Sequence, residues 1–179
     1  MKGAKYTLTS TYLLKQLESR NAADVTKALN KLEKTANVND LPSIIKLMSG
    51  LTEKELLNAF TDFLSKVKSK AAPAIMADAL SEPNYAGIRP ELTRACWESG
   101  LDYTPYLLLF ARIFIAGDYL LALEAFTMIE NTCLERPVAR KILDEISILI
   151  KNSLPDQPET KQRLTRELIL ILEPFITED

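Results

Sequence analysis

Leu41-Pro42-Ser43-Ile44-Ile45, Ala72-Pro73-Ala74-Ile75-Met76, Thr104-Pro105-Tyr106-Leu107-Leu108 and Arg136-Pro137-Val138-Ala139 decide the fold. Their prolines lie 31, 32 and 32 residues apart, each at or just before an apolar helical run. The first turn of a helix tolerates proline because the N–H that proline lacks has no intrahelical partner there. A proline at a fixed period therefore marks a recurring helix start. Periods of roughly 30 to 47 residues with two helices each are the mark of an α-solenoid.

Working outward, each proline step is followed by a second helical pattern. After Leu41, Ile44, Ile45 and Met48 comes Gly50, which suits a helix C-terminus that turns through a left-handed residue. Thr52 and Glu55 then have the spacing of a capping box, and Asp40 is placed to cap the helix before it. Leu56, Leu57, Phe60, Phe63, Leu64 and Val67 give the core stripe of the second helix. Ala71 to Leu80 and Pro90 to Ser99 form the next pair, joined by an irregular Ser81–Pro90 connection and stopped by Gly100. Asp102 is a cap before Tyr103–Ala116, which is apolar nearly all round, and Gly117-Asp118 stops that helix and starts Tyr119–Asn131. Arg136–Ser153 and Pro158–Phe175 close the chain. Upstream, Ser10–Arg20 carries Leu13, Leu14 and Leu17. A second helix follows with Val25, Ala28, Leu29, Leu32 and Ala36 on one face and Lys27, Lys31 and Lys34 on the other. No segment alternates as a strand does. The expectation is an all-α, right-handed α-solenoid of about five antiparallel helix pairs in one domain. Its segments are a pair over 1–39 and repeats over 40–70, 71–101, 102–135 and 136–179.

This pattern resembles the HEAT and armadillo-type helical repeats. The matching pieces are Leu41-Pro42 with Ala59, Ala72-Pro73 with Ala95, and Thr104-Pro105 with Ala125. Ile88-Arg89 is similar to the valine-arginine step of the HEAT second helix, but Pro90 directly after it is a departure. The tryptophan-leucine-glycine signature of tetratricopeptide repeats is absent. The resemblance implies a curved stack whose second helices line an inner face that holds another macromolecule.

Composition narrows the chemistry. The chain has no histidine, which removes Ser-His and Cys-His catalysis and the commonest zinc ligand. Its five glycines stand singly, so no phosphate-cradling loop exists. Cys96 and Cys133 are too far apart for a C-x-x-C pair and read as buried, reduced thiols. No cofactor, metal or catalytic residue is expected. Net charge is −2, against nucleic-acid binding by phosphate neutralisation. Residues 1–36 carry net +4 and residues 100–135 net −4. Met1–Ser10 does not read as a secretion signal, and no apolar run is long enough to span a bilayer, so a cytoplasmic protein is expected.

The HEAT-like alkylpurine DNA glycosylases are similar in architecture and imply an alternative, an enzyme that acts on nucleic acid. Those proteins use tryptophans and an aspartate in a basic groove, whereas Trp97 is this chain's single tryptophan and its central segment is acidic. The reading taken is a non-catalytic scaffold or adaptor for a partner protein or peptide, with no nucleic-acid or membrane partner. A third alternative is a self-associating structural protein. Aligned on Ala59, Ala95 and Ala125, the second helices superpose Asn58, Arg94 and Glu124, then Thr61, Trp97 and Thr127, then Asp62, Glu98 and Met128. The candidate binding residues are Asn58, Asp62, Arg94, Trp97, Glu98 and Glu124. Trp97 either stands on the inner face, as its aligned threonines imply, or is buried by rotation of a short helix. The apolar run Leu168–Leu172 predicts a mainly monomeric protein with weak self-association through the last helix.

Overall fold

The computed structural model describes residues 12–19, 21–35 and 37–177, and all their regular structure is helical, with no strand among them. The helices are α1 (12–17), α2 (Ala22–Thr35), α3 (Leu41–Met48), α4 (Lys54–Ser65), α5 (Ala72–Ser81), α6 (Arg89–Ser99), α7 (Leu107–Ala116), α8 (Tyr119–Glu135), α9 (Arg140–Ser153) and α10 (Glu159–Thr177). Short 3-10 turns over Val38–Asp40, Pro83–Ile88, Thr104–Tyr106 and Leu154–Asp156 join several of them. The ends of the predicted Ser10–Arg20 helix and its neighbour's core position Ala36 lie outside the described residues.

Three prolines sit in the first turns of their elements: Pro42 in α3, Pro73 in α5 and Pro105 in the 3-10 turn leading into α7. Pro137 lies in the connection before α9, which begins at Arg140 rather than Arg136. Arg136 is extended (φ −139°, ψ 145°), the conformation a following proline favours, so the helix starts only after it. Three expected end signals also work differently. Asp40 does not cap α3 through its side chain; it accepts from the Asn37 N–H at 2.9 Å in a capping box around the preceding 3-10 turn. The Thr52–Glu55 box does not form. Glu53 is the N-cap of α4, and the Thr52 N–H donates to its carboxylate at 3.1 Å. Gly50 is not left-handed either; the one left-handed glycine among the described residues is Gly100, with φ 64°, ending α6. The Gly117-Asp118 step behaves as read: Gly117 ends α7, and the Asp118 carboxylate accepts from the Leu121 N–H at 2.9 Å to cap α8.

The chain forms two compact units, Met1–Leu101 and Asp102–Asp179, divided where the third proline repeat begins. In the first, α2 packs on α4 and α4 on α6, while α3 packs on α5 and α5 on α6. The contact between alternate helices follows from the apolar stripes. Val25, Ala28, Leu29 and Leu32 of α2 are buried, as are Leu56, Phe60, Phe63 and Leu64 of α4 and Leu92, Ala95 and Cys96 of α6. Because α4 is flanked by both α2 and α6, its buried arc widens to take in Thr61, whose hydroxyl donates to the Leu57 carbonyl at 2.8 Å.

In the second unit α7 packs on α8 and α9, and α10 packs on α8 and α9. Leu107, Phe110, Ala111 and Phe114 of α7 meet a core that includes Ala122, Ala125, Ile129, Ile146 and Leu168. Tyr103 is buried, with edge-to-face contacts to Phe110 at 5.8 Å and Tyr106 at 6.4 Å between ring centroids. Lys161 of α10 is 4% exposed. Its ammonium donates to the carbonyls of Phe114 (2.9 Å), Ile115 (2.9 Å) and Gly117 (2.7 Å), and Gln157 adds a bond to Ile115 O at 3.2 Å. Those carbonyls end α7 and have no onward helical donors, so a tethered cation is their cap.

Candidate interaction face

On α6 the buried residues Leu92, Thr93, Ala95, Cys96 and Ser99 occupy one side, leaving Arg94, Trp97 and Glu98 toward solvent. On α4 the same division leaves Asn58, Ala59 and Asp62 outward. Because α4 and α6 pack together, the two outer faces adjoin. Arg94 ties them: its Nη2 lies 3.8 Å from Asp62 Oδ1, and its Nε lies 3.5 Å from Glu98 Oε1. Both distances serve ion pairing but not a well-formed hydrogen bond, and Arg94 Nε is a buried atom without one. Glu91 Oε2 and Thr93 Oγ1, on the same helix, are likewise buried without a hydrogen-bond partner. One step away, Glu33 of α2 pairs with Lys66 at the end of α4, 3.4 Å apart, so charges of alternating sign run over α2, α4 and α6. Such exposed pairs stabilise little, roughly 0–1 kcal/mol each, which leaves them available to other partners.

Of the six predicted residues, Asp62, Arg94 and Glu98 are joined directly. Asn58 lies one helical turn before Asp62, and Trp97 is half-buried beside Arg94. Glu124 is half-buried on α8, in the second unit. The alignment of second helices holds for the core positions Phe60, Cys96 and Phe126, all buried. It fails at Thr61, which is fully buried and so is no guide to Trp97, and at Met128, buried because α8 packs on both α7 and α10. Glu33 and Lys66 were missed by sequence reasoning, since they stand 33 residues apart and no motif links them.

A depression of about 310 Å³ in the first unit runs beside this face between α2 and the end of α4. Leu32, Leu41 and Phe63 form its floor but are themselves almost fully buried, so a ligand there would cover little apolar surface. Among the described residues no cluster of His, Cys, Asp or Glu could hold a metal ion. Burial pushes the Cys133 thiol up to about 11, which keeps it protonated and poorly nucleophilic at neutral pH. Burial also draws the Lys161 ammonium below its ordinary range, with Asp118 acting in the opposite sense. No helix among the described residues is long and apolar enough to cross a membrane. No protein-family model matches the chain, and neither a curated protein nor a solved structure matches it.

Proposed function

We propose that the protein is a non-catalytic scaffold or adaptor that binds a partner protein on the joined outer faces of α4 and α6. The observation that carries this reading is the Asp62–Arg94–Glu98 cluster with Trp97 beside it: a half-buried tryptophan and a loosely paired arginine are the side chains that most often anchor protein interfaces. Packing of alternate helices within each unit supports the finer architectural reading, a HEAT-like right-handed stack of helix pairs whose second helices share one face.

The test is affinity capture from native cell extract with the wild-type chain beside Trp97→Ala and Arg94→Glu, then reconstitution of the captured protein from purified components. A partner that binds wild type directly and each variant at least about tenfold more weakly, a loss of about 1.4 kcal/mol, supports the reading. A direct partner that binds all three equally overturns the assignment of this face.

A further inference from the structure

Helix α8 has a second outward surface of different chemistry. Its buried residues are Ala122, Ala125, Phe126, Met128, Ile129, Thr132 and Cys133. On the opposite side Leu120 (68% exposed), Leu123 (39%) and Leu134 (65%) fall on one stripe through Thr127, with Tyr119 (46%) at its start. These four are most of the large apolar side chains exposed among the described residues. From Leu120 to Leu134 the stripe is about 21 Å long at 1.5 Å per residue. Glu124 and Glu135 flank it on one side and Glu130 on the other, while no lysine or arginine occurs between Arg112 and Arg136. The unit that carries it, residues 102–179, has eight Lys/Arg against thirteen Asp/Glu, net −5.

We infer that this stripe is a docking surface for a basic amphipathic helix, a segment with leucine-like residues on one face and lysine or arginine beside them. The apolar stripe supplies area that is favourable to cover, and the glutamates on both edges select the sign of the occupant's flanking charges. A second copy of this chain fits poorly, because two such faces would set glutamates against glutamates. An anionic membrane surface is repelled for the same reason. The stripe belongs to the second unit, whereas the α4–α6 face belongs to the first.

The probe is a labelled synthetic peptide of about 18 residues with leucine on one helical face and lysine on the other, long enough to span the stripe. Its controls are a scrambled leucine-lysine peptide and a leucine-glutamate peptide of the same pattern, titrated by fluorescence anisotropy against the full chain. Expected is micromolar binding of the patterned basic peptide, at least about tenfold weaker for both controls, weakened about tenfold by Leu120→Ser with Leu123→Ser, and made less salt-sensitive by Glu124→Gln with Glu130→Gln. The leucines are exposed, so their loss should not unfold the chain; circular dichroism and the melting temperature check this, and Leu134→Ser provides an independent variant. Absence of binding, equal binding of either control, indifference to the leucine substitutions, or loss of binding through Trp97→Ala instead would each overturn the assignment. So would a wild-type dimer in sedimentation that Leu120→Ser dissolves, since the occupant would then be a second copy.

Discussion

Lys161 shows how much a single side chain can settle. Three carbonyls converge on its ammonium, and only the charged form has a proton for each; a neutral amine would turn its lone pair toward one of them. Its charge also lies 5.7 Å from the centre of the Phe114 ring. Replacing it with methionine keeps the stem but strands the carbonyls, and an unmade buried hydrogen bond costs about 1–3 kcal/mol, so Lys161→Met should lose at least about 3 kcal/mol in denaturant unfolding. A loss under about 1 kcal/mol would mean that water reaches the end of α7. None of this was legible in sequence, because the acceptors lie 44 to 47 residues away and are backbone atoms. Asp102 is the opposite case. A local role could be read directly, but it is a turn and not a helix cap: Tyr103 stands at the N-cap of the 3-10 turn, and the Asp102 carboxylate accepts from the Thr104 N–H at 3.0 Å. The Thr104 hydroxyl and N–H, with Arg136 nearby, hold its carboxyl below the usual carboxylate range. A depressed carboxylate contributes stability that is present above the unfolded value and lost as pH falls through the folded one. The stability difference between wild type and Asp102→Asn should therefore be present at neutral pH and vanish under acid conditions, below the ordinary aspartate value of 3.8. A difference that is flat across that range would show that the carboxylate's charge plays no part.

At the scale of elements, the proline steps were the most legible feature, since each reports a local backbone constraint that tertiary packing cannot override. Starts and stops that depend on side-chain competition were less so. Glu53 displaces the expected Thr52 box because its own carboxylate takes the Thr52 N–H. The candidate face was legible in part: helical spacing alone places Arg94 and Glu98 together, but the reach from Arg94 to Asp62 required α4 and α6 to be neighbours. Thr61 misled because a helix flanked on two sides has a wider buried arc than its own stripe announces. Two glycines separate local need from mere permissiveness. A Cβ at Gly117 would stand 2.9 Å from the Ile113 carbonyl oxygen and 2.8 Å from Leu121 Cγ, whereas one at Gly87 would meet nothing within 4 Å. Gly117→Ala should destabilise by about 1–3 kcal/mol, as overpacking against rigid backbone does. Gly87→Ala should be neutral or stabilising by up to about 1 kcal/mol, by narrowing the unfolded ensemble. Thermal melts of the two variants side by side decide it, and equal shifts would refute the crowding at the α7–α8 turn.

For the whole molecule, the helical class and the absence of strand among the described residues were legible from period and composition, because both are sums over many positions. Association state depends on how much of the last helix's apolar run the fold itself covers. The sequence pointed to the Leu168–Leu172 run of α10 as an open apolar flank, with Ile169 as its test. Instead Leu168 and Leu172 are fully buried against the second unit's core, Ile169 and Ile171 are half-buried, and Leu170 alone stands open, 63% exposed. Covering one leucine contributes about 1.5–3 kcal/mol, less than the roughly 4–15 kcal/mol that association costs. The one open leucine of this run is thus too little on its own to hold a stable dimer. The chain should sediment as a monomer at micromolar concentration, and Leu170→Glu, at a position 63% exposed, should leave both mass and melting temperature unchanged. A tight wild-type dimer that Leu170→Glu converts to monomer would show that α10 pairs after all, through contacts that an isolated leucine does not account for.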